Sequence, residues 1–374
     1  MTFARSGFGS RKWRFLELQA EFDRCTVPVY MTSAGGHQFP LLKTLLSNFC
    51  INSCRYCNIG CRKSALRERW EVDELVKATR HLFESGHIKG LFLSSTLDGD
   101  SDRVVEKEIE VAEKLRQQGL KDFYIHLKLM PGVSRDLVRR AALVASRIGV
   151  NLEAPRKDVF DEICPDKDYK DGVLKRLEWC ASEERWLRRQ AIEKRFLSSG
   201  IDTQIIVGAE YETDLDHLKI TDWLYQKLGL RRIYFSRFDP VPDTPLENRE
   251  PCSRWREYRL YQASFLLRDY GFKLNDLKDV LDDQDFLPNR NPKLVYAKLH
   301  EDIFPINLNT ANRQDILKIP LIGPKATREI VEKRKIRPIK NMSDLKRIVG
   351  SYRVRRVAPY VDLNQKKISD FFSG

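Results

Sequence analysis

Between Leu41 and Phe238, six short runs of β-forming residues alternate with longer stretches of helical periodicity, and this alternation constrains the fold more than any other feature. The β runs are Leu41–Asn48, Leu91–Ser95, Phe123–Met130, Val150–Ala154, Thr203–Ala209 and Ile233–Phe238. Between them, Glu71–Ser85, Arg103–Gln118, Ser134–Arg147, Glu184–Ser199 and Asp214–Leu228 space their apolar residues as helices do. Strands joined through helices pair in parallel, because a parallel pair needs a crossover connection. The pattern predicts the α/β class, as a partial (β/α)6 barrel with its functional residues at the C-terminal ends of the strands. A chain of 374 residues with 42% hydrophobic content can bury one large core and add a small second domain. No run approaches the roughly 20 apolar residues of a bilayer span, so no membrane association is expected. The opening MTFARSGFGSRKWRF lacks the apolar core of a signal peptide, which predicts a cytoplasmic chain. Eight cysteines without a regular framework fit a reducing compartment, where thiolates can serve a metal.

The first β run leads directly into CINSCRYC, in which Cys50, Cys54 and Cys57 follow C-x-x-x-C-x-x-C spacing. Three thiolates on one short loop can hold three corners of a [4Fe–4S] cube and leave the fourth iron open to a small molecule. Cys61 leaves room for two other readings, a structural zinc site or a fully ligated cluster. Zinc sites usually pair two C-x-x-C knuckles across a longer loop, and no second knuckle follows. A further alternative is a set of unconnected buried thiols. His126 and Lys128 alternate along one strand and therefore share a face. A Lys among apolar strand residues calls for an anionic partner, either a ligand carboxylate or phosphate or a structural ion pair. Arg237 and Asp239 fall where the sixth strand ends and are candidates for substrate contact.

The formal charge of +13 is concentrated near the C-terminus, where residues 305–374 hold 16 Lys and Arg against 6 Asp and Glu. That imbalance points to nucleic acid. INLNTANRQDILKIPLIGPKATREIVEKRK reads as helix, tight turn, helix, with Asn309 or Thr310 capping the first helix and Gly323 permitting the turn. Amides at the start of the second helix would face a phosphate, and Lys325 and Arg328 add charge. A degenerate second copy over Met342–Val361 carries Arg353, Arg355 and Arg356. The alternative is a small helical domain with a solvated basic face. In the closing QKKISDFFSG, one helical turn would gather Ile368, Phe371 and Phe372 into an apolar plug, with Gln365 ahead of it.

The cysteine loop resembles that of the radical SAM superfamily, down to the aromatic Tyr56 before its last cysteine. The resemblance implies a [4Fe–4S] cluster on Cys50, Cys54 and Cys57. It also implies S-adenosyl-L-methionine on the open iron, cleaved by one electron to a 5′-deoxyadenosyl radical. Ser94 and Ser95 stand where the family's Gly-Gly-Glu meets the methionine amino group. Glu153 in VNLEAP matches a position near the ribose or methionine end. QIIVGAEYE resembles the segment that packs on adenine, with Gly208 in place and Thr203 where the family has glycine. INLNT…KRK resembles a helix-hairpin-helix with Leu321-Ile322-Gly323 in place of Gly-Ile-Gly. The tail resembles the peptide that docks on PCNA-type sliding clamps, through Gln365, Ile368, Phe371 and Phe372. Such clamps belong to archaea and eukaryotes, which predicts a nucleoid-associated protein of archaeal type.

From about residue 40 to 360 the chain is similar to DNA modification/repair radical SAM proteins that end in a helix-hairpin-helix. The carrying stretches include CINSCRYC, GLFLSS, YIHLKLMPG, NLEAP and DPVPDTPLE. The implied organisation is an extension (1–40), a barrel (41–250), a helical connector (251–304), an all-α hairpin domain (305–362) and a tail (363–374). Its implied activity is radical chemistry on DNA, with DNA and the clamp as partners. Cys164 and Lys128 are the candidate catalytic side chains, Cys164 as a hydrogen-atom donor. Two alternatives are a radical SAM enzyme acting on RNA and a DNA-bound scaffold with a structural iron–sulfur or zinc site. Tyr258, Tyr261 and Tyr270, between barrel and hairpin, either stack on bases or pack the connector.

Overall fold

The computed structural model describes residues 29–34, 37–61, 66–190 and 196–364. These fall into two compact units. The first runs to Glu212 and resumes over Gln226–Ser253, and the second comprises Thr213–Tyr225 and the chain from Arg254 onward. Gln365, Ile368, Phe371 and Phe372 lie outside the described residues.

The first unit is built on a seven-stranded sheet whose strands stand in chain order. They are β1 (Val29–Ala34), β2 (His37–Leu45), β3 (Gly90–Ser94), β4 (Tyr124–Lys128), β5 (Arg147–Gly149), β6 (Ile201–Val207) and β7 (Arg232–Arg237). From β2 to β7 every pairing is parallel. Sequential order is that of a barrel wall, whereas a doubly wound sheet reverses at a switch point. The wall is open between β1 and β7. Five of the six parallel strands overlap the runs expected, and the fourth, β5, precedes its run. The seventh, β1, was not foreseen: it pairs antiparallel with β2 and lies, with the start of β2, in the segment read as an extension.

Helices α1 (Val72–Glu84), α2 (Ser101–Gln117) and α3 (Arg135–Ala142) close the first crossovers. Leu75, Val76, Ile109, Ala112, Val138 and Ala141 are buried, as are Leu91, Leu93, Ile125 and Leu127 of the strands. Such runs are what a sheet covered by crossover helices requires.

The fourth strand differs from expectation. Val150–Ala154 is not a strand, and the sheet is entered earlier by Arg147–Gly149. Thr203 explains the early exit. Its hydroxyl donates to Val150 O (2.7 Å) and accepts from Leu152 N (3.0 Å), interrupting the ladder before backbone pairing with β6 resumes at Glu153. Gly149 explains the close pairing, since a Cβ there would fall 1.9 Å from Asp202 Oδ1 and 2.4 Å from Asp202 O. Gly149→Ala is therefore expected to lower stability by about 2–3 kcal/mol through overpacking, measured by urea unfolding.

After β5 come α4 (Lys157–Ile163), a π-helical turn (Tyr169–Leu174) and α5 (Lys175–Arg189). The helix expected over Glu184–Ser199 thus begins nine residues earlier. Asp168 starts the turn by accepting from Gly172 N (3.0 Å), and this local cap outweighs the breaking tendency of Pro165 and Gly172.

The second unit contains α6 (Asp214–Trp223), α7 (Arg254–Asp269), α8 (Leu274–Lys278) and α9 (Pro292–Leu299). Two helix pairs follow: α10 (Arg313–Lys318) with α11 (Pro324–Ile336), and α12 (Met342–Val349) with α13 (Ser351–Val357). Ile316, Ile322, Ile330, Leu345, Val349 and Val357 belong to the core that they share. A short parallel ladder, β8 (Ile306–Asn307) with β9 (Val361–Asp362), ties the ends of this region together.

Candidate cysteine-loop site

The loop that leaves β2 is fastened on several sides. Leu46 N donates to Ser94 O (2.7 Å), Thr96 N to Ser47 O (3.1 Å) and Ile51 N to Leu97 O (2.9 Å). Arg67 donates to Ile59 O (2.8 Å) and Gly60 O (2.9 Å), holding the far end of the loop. The segment around α4 supplies a further wall. Arg55 N donates to Ile163 O (2.9 Å), Arg55 pairs with Glu162, and Asp166 accepts from Ser53 N (2.5 Å) and Ser53 Oγ (2.6 Å). Such bonding fixes a loop that lacks a ladder of its own.

Cys50, Cys54 and Cys57 lie close enough to influence one another's ionisation. Burial, followed by Cys54 and Cys50, pushes the Cys57 thiol up to about 12, and burial raises Cys50 as well. Cys54 moves the other way, to about 7, because the buried Cys164 thiol donates to it and the Lys167 ammonium lies nearby. Among the described residues, no three His, Cys, Asp or Glu side chains converge tightly enough to hold an ion as they stand. Cys61 is exposed, with its amide bonded to Asn52 O (2.9 Å).

Glu153 stands beside the loop. It is buried and adopts φ 64°, a left-handed conformation unfavourable for a side chain of this kind. Its amide donates to Gln204 O (2.9 Å), its carbonyl accepts from Ile206 N (2.8 Å), and its carboxylate meets Lys167 Nζ at 3.0 Å. Burial opposes the Lys167 charge, but Cys54, Glu153 and Cys164 more than offset this and raise its pKa. Burial and then Glu153 raise the Tyr56 phenol. The structure therefore brings Cys54, Tyr56, Glu153 and Cys164 together. Lys167 and Asp166, which join them, were missed by sequence reasoning. Their one signal was the charged CPDKDYKD run in a region that offered no regular pattern.

The other strand ends are more ordinary. Ser94 offers its carbonyl to the loop, while Ser95 is buried with an unpartnered hydroxyl. Gly208 has φ 83° and donates its amide to the buried Glu212 carboxylate, another residue not foreseen. Arg237 and Asp239 pair with each other at 2.8 Å.

Lys128 takes the ion-pair alternative. Its ammonium lies 2.8 Å from Asp202 Oδ1, and His126 Nε2 lies 2.8 Å from Asp202 Oδ2. Burial would raise the Asp202 pKa, yet His126, Lys128 and Arg147 hold it well below the usual carboxylate range. Burial lowers His126 to about 4 against the pull of Asp202. A histidine near 6.5 when unfolded then binds more protons in the unfolded chain between pH 6.5 and 4, so stability falls as pH falls through that window. Denaturant unfolding at pH 5 is expected to show about 2 kcal/mol less stability from this group than at pH 7.5.

In the second unit Lys325, Arg328, Arg353, Arg355 and Arg356 are all exposed. Two local expectations need correction. Asn312, not Asn309 or Thr310, caps α10, accepting from Asp315 N (2.9 Å). Asn309 instead bridges to Ile339, accepting from its N (2.9 Å) and donating to its O (3.0 Å). In the turn before α11 the left-handed residue is Leu321 (φ 65°), while Gly323 has φ −113°. Glycine serves at 323 because a Cβ would come within 3.1 Å of Tyr270 Oη. Lys293 Nζ braces the same turn by donating to Ile322 O (2.5 Å). Between α12 and α13, Gly350 supplies the left-handed φ of 86°.

No family model matches the chain. An uncharacterized protein of Methanocaldococcus jannaschii is 25% identical over 218 residues, 56% of this chain and 51% of the relative. The chain spans about half the length of the curated relative it matches. Methylornithine synthase (PylB) is similar in structure with a TM-score of 0.47 and 15% identity, over 63% of this chain and 64% of that one. HydG, a maturase of the [FeFe]-hydrogenase, gives a TM-score of 0.46 and 13% identity over 87% and 83%. HydG from Carboxydothermus hydrogenoformans gives 0.47 and 15% over 85% and 81%. Among the described residues no helix is long and apolar enough to cross a membrane.

Proposed function

We propose that the chain is a radical SAM enzyme acting on DNA, in base modification or lesion repair. The observation that carries this reading is the cysteine loop. Three neighbouring thiols of the required spacing lie on a firmly strapped loop at the C-terminal end of the first parallel strand. A soft donor set of thiols suits an iron–sulfur cluster, and the protons that burial keeps on Cys50 and Cys57 would leave when metal binds. Cys50, Cys54 and Cys57 would hold the [4Fe–4S] cluster. Tyr56, Ser94, Ser95, Glu153 and Gly208 would line the place of S-adenosyl-L-methionine. When bound, these cofactors supply one-electron chemistry able to take hydrogen from an unactivated carbon. The chain's own part is positional. Asp166 and Arg67 hold the loop, the Glu153–Lys167 pair sets charge beside Cys54, and Cys164 is the candidate donor that returns a hydrogen atom.

DNA is the favoured substrate because exposed cations gather on the second unit around two helix pairs. The amides opening α11 and Lys325 and Arg328 would grip one phosphate run, with Arg353, Arg355 and Arg356 on the other pair. The tail residues Gln365, Ile368, Phe371 and Phe372 would dock on a PCNA-type clamp and place the enzyme at DNA. An interior base would have to leave the stack before reaction. Duplex binding is expected to weaken in Lys325→Ala/Arg328→Ala, with the salt slope reduced by about 2. Equal affinity and slope in the variant would remove the hairpin from this account, and preference for RNA over duplex DNA would favour RNA modification.

A further inference from the structure

A cavity of about 40 Å³ opens at the ends of β2 and β3, on the first unit alone. Ser47, Arg69, Ser95, Asp98, Arg103 and Lys107 line it. Three cations thus face one carboxylate, and that carboxylate is already committed. Asp98 accepts from Ser47 Oγ (3.0 Å) and lies 3.4 Å from Arg69 Nη2. Arg69 is further fixed by stacking 4.4 Å over the Phe49 ring. Arg103 and Lys107 stand one turn apart on α2 and have no ion-pair partner among the described residues.

A further feature makes this more than a solvated basic face. Ser95 is nine-tenths buried, and its hydroxyl has no hydrogen-bond partner. A buried hydroxyl left unpaired costs free energy that a ligand acceptor would restore. Uncompensated cations and an orphan hydroxyl around one small volume match a compact anion with several acceptor oxygens.

We infer that this cavity binds a phosphate group, either a phosphodiester of a nucleic-acid backbone or free phosphate. The inference goes beyond the proposed function; it shares Ser95 with the place proposed for S-adenosyl-L-methionine, and its test uses neither that cofactor nor the cluster. Ser47 gives the site its meaning. It lines the cavity, accepts Thr96 N at its carbonyl (3.1 Å), and lies three residues before Cys50. A phosphate held here anchors its molecule at the root of the cysteine loop.

The test titrates the full chain with inorganic phosphate and, separately, with a short single-stranded oligonucleotide. Wild type is compared with Arg103→Ala/Lys107→Ala and with Ser95→Ala, and thermal melts confirm that each variant is folded. Phosphate is expected to bind about tenfold or more weakly to the double variant, the loss of two charge-assisted bonds. Ser95→Ala removes no charge, so a loss of about threefold there marks direct contact rather than a general field. If the oligonucleotide also binds the variants more weakly, with a flatter salt dependence, the backbone is the source. If only inorganic phosphate is affected, free phosphate is the source. Affinities for both ligands that are the same in wild type and variants, or no phosphate binding together with unchanged oligonucleotide binding, overturn the inference.

Discussion

Asp202→Ala is expected to destabilise the first unit by about 3–5 kcal/mol, the range for removing one partner of a buried ionic group. Asp202 is fully buried and is the shared anion of Lys128 and His126, themselves 4% and 2% exposed. Removing the carboxylate leaves Lys128 an unpaired ammonium inside the sheet. Its remaining aromatic neighbour, the Tyr234 ring at 5.8 Å, offers only a weak cation–π contact. Arg147, with Nη1 4.0 Å from Asp202 and 3.3 Å from Tyr234 Oη, adds a second positive charge to the uncompensated group. Two cationic side chains, Lys128 and Arg147, then repel each other in a low-dielectric site beside the neutral His126. The measurement is urea unfolding of the variant at pH 7.5. A loss under about 1 kcal/mol would show that water reaches Lys128 and that the cluster is not a closed ionic core.

The same residues show how much was legible in the sequence. The placement of His126 and Lys128 on one face followed from alternation, and both do meet one partner. That the partner is Asp202 was not legible, because it is 74 residues from Lys128 and pairs with it only through the sheet. The strand content of VNLEAP misled for a similar reason: Thr203, on the neighbouring strand, takes up Val150 O and shares Leu152 N, so pairing is broken before it resumes at Glu153. Helix α5 was shifted because a side-chain cap from Asp168 is weaker in sequence than the Pro and Gly around it. The loop cysteines, by contrast, are local in sequence and in space, so spacing alone brought them together. Glu153 was singled out by resemblance, but its left-handed backbone and its Lys167 partner appear only in the folded chain. At the turn before α11, glycine was read as the flexible residue, while the structure uses Leu321 for that and Gly323 for clearance of Tyr270.

Substituting any one of Cys50, Cys54 or Cys57 by alanine is expected to abolish the stable cluster, leaving less than about a tenth of the iron that the wild type retains after anaerobic reconstitution. An open cube has only three protein ligands, so the loss of one leaves two, too few to hold it against solvent. Cys61→Ala and Cys164→Ala should keep their iron. Cys61 is exposed and its role in the fold is carried by its backbone amide, while the Cys164 thiol meets the loop by donating to Cys54. Iron, sulfide and zinc assays on the five variants decide between the readings. Iron lost equally in Cys61→Ala would mean four ligands and a closed cluster. Zinc bound in place of iron, and lost in all four loop variants, would mean a structural metal site.

The most direct test of the central claim is anaerobic turnover. The reconstituted, reduced protein is given S-adenosyl-L-methionine, and 5′-deoxyadenosine is quantified with and without duplex DNA. 5′-Deoxyadenosine is expected to form, to disappear in Cys54→Ala, and to increase when DNA is present. A protein that holds its cluster yet leaves S-adenosyl-L-methionine intact under all these conditions would contradict the account and identify a DNA-bound scaffold instead.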